Sequence, residues 1–469
     1  MSVRLAYLAL GGVLLASGSV WSDEPAKGIE VISAIARAIF GEEPAPAIQA
    51  KPAIEVQPEI EAQPETEDKL LAPLGRIPEK KAPVVDNSTH RQAKAVKVAG
   101  KSGGSLQTLT VTPDGKVVCL VGASAYAPVG GENGKEPTSE VFVYDGNGEP
   151  VANWKVPFAG QAVAASPSGE IYVAGDGRIG KFSLKGESLA TSEITPITDT
   201  LKDNAGLRKQ AEAQLEANKN QFAAQIKELK EQMAEIEKKD KAKLTKQDEQ
   251  QLRVLKSELN AYEQFTENFS KQTVDSIIQQ LTSRVRRVNG LSVTDKDVYV
   301  MCGETKGYGF ALWRMDLKFA SPTKVLGQLS GCCGQMDVQV AGDKIYVAEN
   351  TRHRVAIFDR DGKAAGAFGS RGRESQGVNF GGCCNPMNCR INSTGEVYTA
   401  ESEGIVKKFN AKGEFVAHIG TVKLTGGCKN VAVAASPSGD KVYFCDLPGS
   451  QFLILEQSAK APVRAAASN

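Results

Sequence analysis

From about residue 95 to residue 457, apolar β-formers alternate with polar residues in runs of four to six positions separated by Gly-containing turns. A period of two broken at this spacing predicts short antiparallel strands rather than helices. The pattern is clearest over 331–456, where one unit is written three times. Gly331-Cys332-Cys333-Gly334-Gln335-Met336 leads into Lys344-Ile345-Tyr346-Val347-Ala348 and then Val355-Ala356-Ile357-Phe358-Asp359. Gly382-Cys383-Cys384-Asn385-Pro386-Met387 leads into Glu396-Val397-Tyr398-Thr399-Ala400 and Val406-Lys407-Lys408-Phe409-Asn410. The third copy runs from Gly427-Cys428-Lys429-Asn430 through Lys441-Val442-Tyr443-Phe444 to Phe452-Leu453-Ile454-Leu455. Repetition of this kind marks one supersecondary unit used several times. A single meander cannot bury its faces, whereas radial stacking of several packs each sheet on its neighbours and leaves only short edges.

The centres of the second strands, Val118, Tyr172, Tyr299, Tyr346, Tyr398 and Tyr443, are separated by 54, 127, 47, 52 and 45 residues. Only the second gap is anomalous, and removal of about 80 residues of different character restores the period. Six blades of an all-β propeller follow. Ala95-Val96-Lys97-Val98-Ala99 is a spare strand that closes the ring by pairing beside Phe452–Leu455.

The anomalous stretch, 199–287, is nearly free of Gly and Pro and dense in Lys, Glu, Gln, Ala and Leu. Ile226, Leu229, Met233 and Ile236 form one apolar seam, and Leu252, Leu255, Leu259 and Tyr262 form another, with a charged region at Lys238–Lys246 between them. The spacing predicts an inserted antiparallel α-helical coiled-coil hairpin whose arms of about 35 residues reach roughly 50 Å. A projection of that length is expected to meet a protein partner.

The chain starts differently. Arg4 precedes an apolar run from Leu5 to Leu15 and Val20-Trp21-Ser22 resembles a cleavage site, so residues 1–22 read as a signal peptide and the protein as exported, periplasmic or extracellular. An uncleaved membrane anchor is the alternative. Residues 23–94 form a Pro/Ala/Glu-rich tether too poor in apolar residues to fold, with a short amphipathic helix at 28–40 as the one further point of membrane contact. Blades 1 and 2 then occupy 95–198, blades 3 to 6 occupy 288–457, and 458–469 is a disordered tail. With 56 Lys+Arg against 55 Asp+Glu the formal charge is +1, which gives no attraction to nucleic acid.

The repeat resembles the NHL family of six-bladed propellers, most closely over Gly342–Gly369, which includes Lys344-Ile345-Tyr346-Val347-Ala348-Glu349-Asn350-Thr351-Arg352-His353-Arg354-Val355, and again over Phe380 to Asn385-Pro386. The resemblance implies a fold and binding on one face, without fixing a ligand. It also implies that blade-to-blade crossings share a face with the loops between second and third strands. On that basis Cys332, Cys333, Cys383, Cys384 and Cys428 lie in crossings, Cys302 and Cys445 end second strands toward the same face, and Cys389 is one short strand away. Cys119 alone is detached. Arg352 and His353 fall in a loop of that face, where His353 also suits a plain turn.

Two chemistries fit such a cluster in an oxidising compartment. Disulfides among Cys332, Cys333, Cys383, Cys384, Cys428 and Cys445 would staple neighbouring blades or close rings within the adjacent pairs Cys332-Cys333 and Cys383-Cys384, and with nine cysteines at least one thiol stays free or pairs with another chain. Alternatively Cys333, Cys384 and Cys428, with Cys302, Cys332, Cys383, Cys389 or Cys445 as fourth ligand, would hold Cu(I), Zn or an iron–sulfur cluster at the channel mouth. Enzyme signals are weak. The resemblance includes lyases with histidine-bound zinc, but the three histidines here are His90, in the tether, His353 and His418, too few for such a site. Gly100-Lys101-Ser102-Gly103-Gly104 is followed by a strand, not the helix a nucleophile elbow requires. The expectation is a non-catalytic binding or scaffold protein, with a redox or metal-binding protein as the alternative.

Overall fold

The computed structural model describes residues 87–98, 104–122, 138–239, 244–332, 334–372, 377–382, 384–424 and 431–458. The expected signal peptide, the expected helix at 28–40, most of the expected tether and tail, residues 99–103, and Cys333, Cys383 and Cys428 lie outside the described residues.

The described residues outside the helical insertion form 24 strands in six four-stranded antiparallel sheets. After β1 (His90–Lys97), the first sheet is β2 to β5 (Ser105–Val111, Val117–Gly122, Ser139–Tyr144, Pro150–Val156) and the second is β6 to β9 (Ala162–Ala165, Ile171–Gly175, Arg178–Phe182, Ser188–Glu193). The third is β10 to β13 (Val288–Val293, Asp297–Gly303, Phe310–Asp316, Thr323–Leu329) and the fourth β14 to β17 (Val338–Ala341, Lys344–Glu349, Arg354–Asp359, Ala364–Phe368). The fifth is β18 to β21 (Asn388–Ile391, Val397–Ala400, Ile405–Phe409, Phe415–Thr421), and β22 to β24 (Val431–Ala435, Lys441–Asp446, Gln451–Gln457) complete the chain.

Each first strand neighbours the first strands of the sheets on both sides, from β2 round to β22 and back to β2. This closed arrangement fits a six-bladed propeller. Six apolar cores, one per pair of adjacent sheets, account for it. Because side chains alternate across a strand, Tyr172 packs toward the third sheet while Val173 packs toward the first. Both faces of a blade are therefore dry, and second strands such as Val117–Gly122 are buried throughout. All six residues expected at second-strand centres, Val118 through Tyr443, sit in second strands and are buried.

Closure is made by β1, which pairs antiparallel with β24 so that Ala95 faces Leu453 and Val96 faces Phe452. The strand begins at His90, five residues before the expected start. The end of the tether is thus ordered, and His90 is buried in the ring with its Nε2 3.0 Å from the Gly439 carbonyl. Hairpin turns repeat one device: Asp145, Asp359 and Asn410 each use a side-chain oxygen to accept backbone N–H groups two and four residues on. Gly413, at φ 83°, closes its turn so near the fourth sheet that a Cβ would lie 2.4 Å from Phe368.

The helical insertion follows β9. It begins at Thr195, four residues before the expected boundary, and comprises α1 (Thr195–Lys202), α2 (Asn204–Glu237), α3 (Lys246–Ser270) and α4 (Val274–Arg286). The outgoing helix α2 has 34 residues, about 51 Å at 1.5 Å per residue. The return is not one arm: α3 ends at Ser270, and Thr273 caps a new helix by accepting the Ser276 N–H at 3.1 Å. All eight predicted seam residues meet in one core, joined by Phe265 and Phe269. Lys230–Glu263 (3.1 Å), Lys256–Glu237 (3.6 Å) and Lys239–Asp248 (2.7 Å) fix α2 and α3 in opposite directions. Ile197 and Val285 anchor the base in the core between the second and third sheets. No described helix is long and apolar enough to cross a membrane.

Candidate functional site

The starts of the six first strands surround a pocket at the crossing end of the central channel. Thr108, Gln161, Asn289, Gln335, Arg390 and Val431 contribute one residue from each sheet or the crossing before it, around ≈ 560 Å³ of space that includes the open mouth. Alternation explains the lining. On β18 Asn388 and Arg390 turn into the channel, whereas Cys389 between them turns into the core of the fourth and fifth sheets.

Asp337 organises this pocket. It is 1% exposed, and its Oδ2 accepts from Asn388 Nδ2 at 2.6 Å, from the Cys389 N–H at 3.0 Å and from Arg390 Nη1. A buried carboxylate is tolerated only with such compensation. Asn388 passes the connection on, accepting the Val433 N–H at 2.9 Å, so the fourth, fifth and sixth blades share one polar network. Gln335 reaches across the mouth, donating from Nε2 to the Val431 carbonyl at 2.7 Å. Opposite them Gln161 Oε1 accepts the Val288 N–H at 2.7 Å, and Asn289 Nδ2 donates to the Gly334 carbonyl at 2.5 Å.

The crossing before β14 is held by Asn350, fully buried in the loop after β15. Its Oδ1 accepts the Cys332 N–H at 2.8 Å, and its Nδ2 donates to the Gln335 carbonyl at 2.9 Å and approaches Met387 Sδ at 3.7 Å. Cys332 and Cys384, from two different crossings, consequently enter one core with Met387 and Val431. Both side chains are buried there, Cys384 more deeply than Cys332. Three other placements are corrections. Cys389 is fully buried, its Sγ 3.8 Å from the Tyr346 carbonyl, and is not part of an accessible face. Cys302 lies in the core between the second and third sheets, away from Cys384, and therefore does not complete a thiolate set with it. Cys445 is a free thiol rather than half of a disulfide; it shares the ring-closing core with Cys119, which lies within a buried second strand and in no crossing. The physical reason is common to all three: each belongs to a strand whose two faces are both covered by neighbouring sheets.

Burial pushes the Cys302 thiol up to about 12 and moves the Cys119, Cys389 and Cys445 thiols upward as well, outweighing the nearby Lys324 at Cys302 and Arg390 at Cys389. They are protonated, inert core residues. Among the described residues no group of three or more His, Cys, Asp or Glu is placed to hold a metal ion. Arg352, largely exposed, pairs with Glu349 at 3.6 Å, and Arg354 pairs with the same carboxylate at 2.6 Å. His353, at φ 52°, terminates the 3-10 turn Asn350–Arg352 and is buried, in keeping with a turn role.

The channel residues were not singled out from sequence. Their signal was a polar residue at or just before the first strand of successive blades, as in Gln161-Ala162, Asn289-Gly290, Asp337-Val338 and Asn388-Cys389. No protein-family model matches the chain and no curated protein matches it.

Proposed function

We propose that this is an exported, non-catalytic binding protein of NHL-like propeller type, which engages a protein partner through its crossing face and a projecting helical coiled coil. The observation that carries the reading is a junction. Helix α4 ends at Arg286, and the next two residues, Arg287 and Val288, are pocket wall. The base of a roughly 50 Å projection and the channel mouth are consecutive in the chain, so a partner gripped by the helices sits over the pocket. Long helices with charged outer faces and one apolar seam suit such reach.

The test is a comparison of the full chain with a variant in which a short Gly/Ser linker replaces residues 215–266. Photo-crosslinking from Val254, which is 47% exposed on α3, identifies the partner in the native compartment. Loss of that partner's binding on deletion, with the ring still folded, is expected. Undiminished binding would sink the proposal.

The convergence of Cys332 and Cys384 favours a second reading, a thiolate-bound metal or iron–sulfur cluster held by Cys332, Cys333, Cys383, Cys384 and Cys428. Metal analysis of anaerobically purified protein and titration of denatured thiols decide it. Stoichiometric metal with nine titratable thiols supports it, whereas metal-free protein with five, as two disulfides among the crossing cysteines would leave, eliminates it.

A further inference from the structure

We infer a copper(I) site at the crossing end, in which Cys332 and Cys384 bind as thiolates and Met387 as a thioether. It deepens the thiolate-metal reading, on which it rests, by naming one metal and one set of ligands, all of them among the described residues.

The pattern Cys-Cys-x-x-Met occurs twice, over 332–336 and 383–387. The fold separates its two methionines. Met336 turns into the core of the third and fourth sheets, whereas Met387 lies in the core of the fifth and sixth with Cys384 from its own crossing and Cys332 from the crossing one blade earlier. Three sulfur side chains thus enter one dry region at the end of the ring, 9% exposed at Cys332, 2% at Cys384 and 0% at Met387. Asn350 ties the set together. Its Oδ1 accepts the Cys332 N–H at 2.8 Å, and its Nδ2 lies 3.2 Å from the Cys332 carbonyl and 3.7 Å from Met387 Sδ. One buried amide therefore fixes the backbone that carries Cys332 and aims an N–H at the thioether, whose second lone pair is left for a metal. A methionine held in this way loses the freedom that usually makes it a poor anchor, and such outer contacts orient a ligand before the metal arrives.

The donor types select the metal. Zinc takes thiolate, imidazole or carboxylate ligands and closes a structural site with four of them, whereas no group of three His, Cys, Asp or Glu comes together among the described residues. Two thiolates and a thioether suit copper(I), a softer ion satisfied by fewer donors. Each thiol loses its proton to water as its sulfur bonds the metal, and no electron is transferred. Ile419, Val422 and Val431 in the same core keep water from the site, which favours the reduced ion over copper(II).

Anaerobic titration of the reduced full chain with Cu(I) in competition with a chromophoric Cu(I) chelator, and with Zn(II) in parallel, tests the inference. Cu(I) should bind at least 10-fold more tightly than Zn(II), with sulfur as the only donor seen by copper X-ray absorption. Met387→Leu conserves the volume of the core and should weaken Cu(I) 10-fold or more while the ring stays folded. Cys332→Ser, at the rim of the core, should weaken it at least as much. Because serine at the more deeply buried Cys384 can fail to fold, the complementary variant keeps all three ligands and replaces Cys333, Cys383 and Cys428 by serine; it should bind Cu(I) like the parent. Parental Cu(I) affinity in Met387→Leu, preference for Zn(II), or loss of copper from the triple variant would overturn this ligand set and leave the wider thiolate reading standing. A reduced chain that binds neither ion removes both.

Discussion

In the ring, every sheet buries both faces against its neighbours, and six cores separated by long stretches of sequence close on one another. In the insertion, α2 and α3 bury a single seam along their length and leave their other faces charged. The ring can therefore afford fully enclosed ionic groups, and the helices keep theirs at the surface. Damage to a blade is expected to propagate round a closed structure in which each blade packs on two neighbours. Damage to the helical seam is expected to stay local.

The largest effect is expected from Lys407→Met. Lys407 and Glu401 are both fully buried in the fifth sheet, with Nζ 2.7 Å from the carboxylate. Glu401 also accepts the Gly381 N–H at 2.8 Å, and Lys407 donates to the Asn379 carbonyl beneath the Phe380 ring, 5.2 Å away. The pair thus secures the backbone that carries the Cys383-Cys384 crossing. Removing one partner leaves a buried charge uncompensated, at about 3–5 kcal/mol, read as a lower denaturation midpoint of the whole ring. Lys407→Met combined with Glu401→Gln should recover most of it. If the single variant proves neutral, the enclosed pair does not hold the blade.

Ile236→Ala and Leu255→Ala probe the other region. Both side chains are buried in the helical seam, and each truncation should cost about 2 kcal/mol, near the low end for core aliphatics because an isolated pair of helices can close round the gap. The far-ultraviolet helical signal should melt earlier while the fluorescence of Trp154 and Trp313, which lie in β5 and β12 of the ring, keeps its midpoint. A common shift of both signals would show that helices and ring unfold as one unit.

The two regions also differed in how far their sequences disclosed them. Both seams were readable to the residue because a helical period is local, and every predicted member meets its partner. The blades were readable because Tyr172, Tyr299, Tyr346, Tyr398 and Tyr443 repeat at one strand position. The channel was not. Asp337 and Arg390 are 53 residues apart, and only closure of the ring makes them neighbours. The same limit explains Cys302, Cys389 and Cys445: a strand end can be read from alternation, but which neighbouring sheet covers it depends on side-chain direction across the whole ring. The interruption between α3 and α4 was missed because Thr273 and Ser276 look like ordinary polar helix residues until their reciprocal capping bonds are seen.

A smaller effect is expected at the tip of the helical pair. Thr245 and Asp248 form a capping box, in which Thr245 Oγ1 accepts the Asp248 N–H at 3.2 Å and Asp248 Oδ2 accepts the Thr245 N–H at 2.9 Å. Thr245→Ala should cost about 1 kcal/mol, visible as fraying of the first turn of α3 in amide exchange. Ring amides should be unaffected. Protection lost from β1 or β24 would contradict the independence of the two regions.

Acid separates them most finely. In the tip, Lys239 at 2.7 Å, followed by the Thr245 bonds, holds Asp248 down at about 2. Its ordinary value is 3.8, so the stability it contributes is complete above that pH and disappears as pH falls through about 2. In the ring-closing strand, burial lowers His90 below its ordinary 6.5 despite the hydrogen bond to Gly439. A depressed histidine acts in a different window: the unfolded chain takes up a proton near 6.5 when the folded ring does not, so stability is full above that pH and declines as pH falls below it. Melting followed by tryptophan fluorescence should therefore weaken from about pH 6.5 downward, and His90→Gln should flatten that decline. The helical signal should hold until the carboxylate range and respond to Asp248→Asn instead. Exchanged sensitivities, with His90→Gln flattening the helical curve, would mean that closure of the ring by β1 governs the helices as well.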